Sequence, residues 1–215
     1  GLEPDPAVPV LGFVSRLVRQ KGADLLTTAF DHIIDLGVQI AIVGTGDPHY
    51  HELVSQCVAR HPGRAAVHFN FGADWTQPLY AGADMYLMPS RFEPCGLNQM
   101  IAMRYGAIPI VRATGGLIDT VTEFNPARNT GTGFTFGPFD AWSLLAAIAR
   151  AVQAYRYPDS WQQLMRRAMA VDHSWRVSAE RYGNLYERAI EWHMQDYDMQ
   201  HPSDIAPAFY SESQG

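Results

Sequence analysis

The sequence predicts an α/β protein built on a doubly wound parallel sheet, and two observations carry that expectation. Short apolar, β-branched runs alternate with longer segments whose apolar residues recur at three- and four-residue spacing, so a strand, loop, helix unit repeats along residues 8–136. The runs are also apolar throughout instead of alternating with polar residues. That is the pattern of strands covered by helices on both faces and joined by right-handed crossovers.

Taken in order, the first strand spans residues 8–14 and leads through Ser15-Arg16 into a helix over 23–36, where Leu26, Ala29, Phe30 and Ile33 share a face. The second spans 38–43 and closes at Gly44-Thr45-Gly46 before a helix through Val54 and Val58. The third, 65–69, precedes a segment at 75–83; the fourth, 85–88, precedes a loop at 89–94 and a helix over 96–105. The fifth, 107–111, is followed by Thr114-Gly115-Gly116 and a short helix to Glu123, and the sixth spans 133–136. Beyond Pro138 only helices follow. Asp140 is placed to cap one through Leu144, Leu145, Ile148 and Val152 that Pro158 ends; 160–171 is a second, and 174–193 a long, aromatic-rich third. Residues 1–7 read as a linker and 194–215 as a flexible polar tail.

Composition narrows the partners. Across 215 residues, Lys+Arg 16 against Asp+Glu 22 leaves a net charge of −6, which disfavours approach to phosphate backbones and anionic lipid, so neither nucleic acid nor membrane is expected. No apolar run approaches the ~18 residues of a membrane span. Two cysteines, Cys57 and Cys95, make neither a disulfide framework nor a zinc-ligand pair. The chain starts at Gly1, which reads as a removed leader or as a piece of something longer.

In an open parallel sheet, ligands bind beyond the carboxyl ends of the strands, so the loops there are the places to look. After the first strand, Ser15-Arg16-Leu17-Val18-Arg19-Gln20-Lys21-Gly22 puts two fixed cations, Arg16 and Lys21, on a loop entering a helix, where a phosphate or diphosphate is the natural guest. The other reading is a pair of solvated loop cations. After the fourth, Glu93 is followed by Pro94 and Gly96 at a helix start, a carboxylate placed for sugar hydroxyls or one that merely caps the helix. Cys95 reads as a small packed residue. After the fifth, Thr114, Gly115 and Gly116 offer either an anion nest or a tight turn.

Other motifs carry less. Gly44-Thr45-Gly46 has His49 where a dinucleotide fingerprint needs its third glycine, which excludes a nicotinamide cofactor. Asp47, His49 and His51 read as a surface turn, not a metal site, and Asp196-Tyr197-Asp198 as chance. Trp142, Trp161, Trp175 and Trp192 fall at helical spacing and are expected in the core, with a glycan platform as the alternative.

Taken together, Ser90-Arg91-Phe92-Glu93-Pro94-Cys95-Gly96-Leu97, Ala102-Met103-Arg104-Tyr105-Gly106, Ile108-Pro109-Ile110-Val111 and Thr114-Gly115-Gly116-Leu117-Ile118-Asp119-Thr120-Val121 resemble the C-terminal half of bacterial glycogen synthases and of plant or cyanobacterial starch synthases. The likeness runs in order over residues 8–192, from Ser15-Arg16-Leu17 and Lys21-Gly22 to Ser174-Trp175.

The resemblance implies a GT-B architecture, two Rossmann-like domains facing a cleft, of which this is the nucleotide-sugar-binding one with a helical C-terminal extension. The family moves glucose from ADP-glucose to the non-reducing end of an α-1,4-glucan, with retention and with no metal or other cofactor required. By position, Arg16 and Lys21 match the pair that holds the diphosphate, and Glu93 the carboxylate beside the transferred glucose. Cys95, Gly96 and Leu97 match the turn beneath that glucose, with Asn98 following as a further substrate-binding position where threonine or isoleucine is usual. Thr114, Gly115 and Gly116 match the loop near the phosphates, and Phe71 an aromatic that stacks on adenine. Ile101 stands where related transferases carry a second glutamate. The chemistry is coherent, because a departing nucleoside diphosphate develops charge that prepositioned cations and N–H dipoles stabilise, at ~2.7–4 kcal/mol of barrier per group. The family's acceptor domain, with its Lys-x-Gly-Gly-Leu motif, is not in these 215 residues. Helix 174–193 would cross onto that domain and, in its absence, would favour self-association. The implied location is bacterial cytoplasm or plastid stroma. A stand-alone ADP-binding module and a transferase with another donor are the competing readings.

Overall fold

The computed structural model describes residues 1–200. They form two compact units, residues 1–171 and the segment from Asp172 onward. The first unit holds six parallel strands, β1 (Val10–Val14), β2 (Gln39–Val43), β3 (Ala65–His68), β4 (Met85–Met88), β5 (Ile108–Arg112) and β6 (Phe134–Phe136). Their order is β3-β2-β1-β4-β5-β6, with Gly12 opposite both Ala41 and Tyr86. This is the doubly wound arrangement expected, and strand order reverses between β1 and β4.

Side chains alternate between two cores, as period-two strands buried on both faces require. Leu11, Phe13, Ile40, Ile42, Met85, Leu87, Ile108 and Ile110 face one core. There they meet α1 (Ala23–Asp35), α6 (Ala141–Tyr155) and α7 (Pro158–Ala170) through Phe30, Ile33, Ile148 and Trp161. Val14, Val43, Tyr86, Met88 and Val111 face the other, under Leu79 and Tyr80 of α3 (Ala73–Gly82), Ala102 of α4 (Asn98–Tyr105) and Leu117 of α5 (Gly116–Thr120). Each fully buried Phe, Leu or Ile side chain contributes about 1.5–3 kcal/mol.

Local signals explain the helix starts. Asp140 Oδ1 accepts from Ser143 N at 2.9 Å, the cap the sequence predicted. Asp47 Oδ1 accepts from His49 N at 2.9 Å and caps α2 (Pro48–Arg60), with Pro48 in the first turn.

Several elements differ from expectation. β1 begins two residues later than predicted, and residues 2–3 of the segment read as a linker are docked: Glu3 N donates to Gly63 O at 2.8 Å, and Gln39 Nε2 to Glu3 O at 2.6 Å. α5 ends at Thr120, because Val121 turns inward to the core. α8 (Trp175–Gln200) continues past His193 through the first residues of the expected tail, so Asp196-Tyr197-Asp198 is helical; residues 201–215 lie outside those described. Trp161 is core, but Trp142, Trp175 and Trp192 are exposed. Trp142 sits in the first turn of α6, where its ring lies 5.7 Å from that of His32, while Trp175 and Trp192 belong to α8, the one helix among the described residues of its unit. Among the described residues, no helix is long and apolar enough to cross a membrane.

Candidate functional site

The site is built where strand order reverses, from the loops after β1 and β4 with the β5 loop seated on them. Beyond β1, Ser15 N donates to Val43 O and Leu17 N to Thr45 O, so this loop is zipped to the one after β2. The fit requires glycine: a Cβ on Gly44 would lie 1.9 Å from Ser15 O, and one on Gly46 2.4 Å from Leu17 O. Gly44-Thr45-Gly46 therefore serves close backbone packing between the two loops. The loop ends in a 3-10 turn, Arg19–Lys21, and Gly22 starts α1 at φ +78°.

Lys21 and Glu93 come together. Lys21 Nζ lies 2.5 Å from Glu93 Oε2, with side-chain exposures of 20% and 8%, and Ser90 Oγ donates to the same oxygen at 3.0 Å. Glu93 is thus no helix cap: α4 starts at Asn98 with no side-chain cap, and the carboxylate points to Lys21. Ser90 is a residue that sequence reasoning quoted in a motif but gave no role. Arg16 is exposed on the same loop, its Nη2 donating to Gln20 Oε1 at 3.3 Å. Arg19 is a surface residue 3.6 Å from Asp24.

The β4 loop is braced from both sides. Arg91 N donates to Gln20 O at 2.8 Å, and Arg112 Nη1 donates to Arg91 O at 2.6 Å. Gly116 N donates to Glu93 O at 3.1 Å. A Cβ on Gly115 would meet Glu93 O at 2.1 Å, and one on Gly116 would meet Cys95 O at the same distance. These glycines serve contact between loops, and the Gly116 amide is spent inside the protein instead of contributing to a nest. Cys95 is exposed rather than packed, because it is its carbonyl that fills the space beside Gly116. Gly96 turns at φ +78° and leaves Leu97 exposed.

Asn98 is engaged inward: its Nδ2 donates to Val14 O at 3.1 Å, an acceptor shared with the Tyr86 hydroxyl at 2.9 Å. Burial raises the Tyr86 phenol well above its ordinary range. The pair fixes the last carbonyl of β1 just before Arg16.

Phe71 is exposed after β3, its Cζ 3.6 Å from where a Gly44 Cβ would lie. Sequence reasoning missed its company. His51 stacks on Phe69 with centroids 4.5 Å apart, and His68 on Trp75 at 3.8 Å. The His51 ring accepts from Gly46 N at 2.9 Å, so the Asp47, His49, His51 segment is a helix cap and a loop brace. The carboxyl edge thus carries exposed Phe71 and two separate aromatic stacks beyond β2 and β3, and a cation and carboxylate pair between β1 and β4. A planar base can stack on an exposed ring such as Phe71, anionic oxygens can meet Lys21 and Arg16, and hydroxyls can donate to Glu93.

Comparison with known proteins places the chain. The profile of the family described as "Glycosyl transferases group 1" matches residues 2–167. A glycogen synthase of Desulforudis audaxviator is 49% identical over 185 residues, covering 86% of this chain and 37% of that protein. One from Syntrophotalea carbinolica is 47% identical over 193 residues, covering 90% and 40%. Among solved structures, the catalytic domain of Starch Synthase IV from Arabidopsis thaliana, bound to ADP and acarbose, superposes with a TM-score of 0.79 at 34% identity, covering 89% of this chain and 40% of that one. The chain therefore spans about two fifths of the length of the curated relatives it matches. The fold class is the expected one, a Rossmann-like sheet of the GT-B glycosyltransferases with a helical C-terminal end. With the match over residues 2–167 and these likenesses, the chain belongs to the glycosyl transferases group 1 family, as a domain of the glycogen synthase and starch synthase kind.

Proposed function

We propose that this chain is the donor-binding half of a retaining glucosyltransferase that moves glucose from ADP-glucose to the non-reducing end of an α-1,4-glucan. The observation that carries the reading is the half-buried Lys21–Glu93 pair at the sheet's switch point, with Arg16 on the same loop as Lys21. Lys21 and Arg16 hold the diphosphate and stabilise the charge that develops as ADP departs. Two fixed cations supply that charge without a metal. Glu93 accepts from the glucose hydroxyls, and the exposed Phe71 stacks on adenine. The ligands named for the starch synthase structure, ADP and acarbose, support the reading by likeness. Transfer belongs to the longer protein, whose acceptor-binding domain brings the glucan; the chain alone binds the donor without transfer. α8 then serves that domain: Tyr182, Leu185, Tyr186 and Ile190 are all exposed on it, and the chain by itself self-associates through them.

Calorimetric titration of the 215-residue chain with ADP, ADP-glucose and UDP-glucose, each with and without EDTA, tests the reading. ADP and ADP-glucose should bind equally well with and without chelator, and UDP-glucose more weakly. Arg16→Ala and Lys21→Ala should each weaken binding, more at low salt than at high. Absence of heat with both adenine nucleotides, in a folded sample, overturns the proposal.

A further inference from the structure

Gln99 is fully buried, at the second position of α4, and touches neither Lys21 nor Glu93 through any of its hydrogen bonds. Its Nε2 donates to Gly96 O and to Thr120 Oγ1, both at 3.0 Å. Thr120 Oγ1 donates its single proton to Gly116 O at 2.8 Å, so its oxygen must accept from Gln99, which fixes the orientation of the amide. Gly116 N in turn donates to Glu93 O at 3.1 Å. The contacts run Gly96, Gln99, Thr120, Gly116, Glu93, from the turn after β4 to the loop after β5 and back. A buried polar side chain reaching across two loops is costly to retain unless its geometry is used.

Resting on the donor reading above, we infer that Gln99, acting through Thr120, is a positioning residue that sets the spacing between the Gly96 turn and the Gly115-Gly116 loop. In that reading the first lies under the transferred glucose and the second beside the phosphates. ADP-glucose spans both and needs them in register; ADP reaches only the phosphate side. Cutting the bridge should therefore separate the two affinities, which a general loss of stability would not do.

The test uses Thr120→Val, which keeps shape and removes the hydroxyl, and Thr120→Ser, which restores it; Gln99→Leu cuts the other limb. Two measurements are made on the 215-residue chain. In the nucleotide-free protein, amide exchange at Gly116 should rise about tenfold in T120V with β4 and β5 amides unchanged, and return to parent rates in T120S. In calorimetry, T120V should weaken ADP-glucose by about five- to tenfold and ADP by less than about twofold, with T120S at parent values. Unchanged Gly116 exchange in T120V overturns the bridge. Equal weakening of both nucleotides, or none, overturns the positioning role. A parent chain that binds neither nucleotide overturns the donor reading, and with it the role assigned here, while exchange still decides the bridge by itself. If Q99L does not fold, the two Thr120 variants suffice.

Discussion

Replacing Lys21 with methionine keeps the length and apolar stem of the side chain and removes its charge, leaving the Glu93 carboxylate buried with only the Ser90 hydroxyl on Oε2. At 2.5 Å, two unit charges attract by about 6–7 kcal/mol in an effective dielectric of about 20, and the desolvation of both groups offsets much of this. Removing one partner of a fully buried pair costs about 3–5 kcal/mol. Because Lys21 keeps 20% of its side chain in solvent, the lower end applies, about 3 kcal/mol, or roughly a hundredfold in the folded-to-unfolded ratio. The assay is urea unfolding of parent, K21M, E93Q and the double variant at neutral pH, followed by circular dichroism. The double variant should recover most of the K21M loss, giving a coupling energy of about 2 kcal/mol or more. A K21M loss below about 0.5 kcal/mol, or one of the same size in the E93Q background, would refute the argument that these two groups neutralise each other.

Three further expectations follow from the same geometry. Gly116→Ala should destabilise by more than about 2 kcal/mol, since its Cβ would lie 2.1 Å from Cys95 O, whereas Gly37→Ala, with open space but φ +89°, should lose about 1 kcal/mol from backbone strain alone; chemical denaturation compares them. Trp161→Ala should lose about 3–5 kcal/mol, Trp161 being 4% exposed, and Trp142→Ala, 72% exposed, should shift the unfolding midpoint little by the same measurement. Asp172 accepts hydrogen bonds from the Ser174 hydroxyl and amide and pairs with Arg176, which hold its carboxyl down to about 2. A lowered carboxyl stabilises the start of α8 above the ordinary value of 3.8 and loses that contribution as pH falls through about 2. Carboxyl-carbon NMR should trace that titration, and Asp172→Asn should remove the acid-side loss of helicity; a midpoint near 4 would contradict the assignment.

Much of the fold was legible because the inner strands β1, β4 and β5 are buried on both faces, which writes them as uninterrupted apolar runs, and because caps such as Asp140 and Asp47 sit at helix starts. The site was legible as residue types in loops: Lys21 and Glu93 stand 72 positions apart, and only strand order brings them to 2.5 Å. What misled was local reading of residues whose partners are distant. Gly115 and Gly116 read as either an anion nest or a tight turn, whereas their need for glycine comes from the carbonyls of Glu93 and Cys95 in another loop. Asn98 follows the turn matched to the glucose site, and its local sequence gives no sign that Val14, 84 positions away, holds its side chain. Trp142 read as core because helical spacing reports a face without saying whether another element covers it.

The sequence by itself determined the alternation of strands and helices, the loops that carry charge, and the family likeness. Each of those depends on residues near one another in the chain or on their order. Tertiary structure alone decided which charges neutralise each other, which glycines exist for contact between loops, and that Gln99 ties the β4 and β5 loops together. Those outcomes depend on approach distances of a few ångströms between strands brought together by a reversed strand order. No periodicity or spacing along the chain encodes that geometry directly.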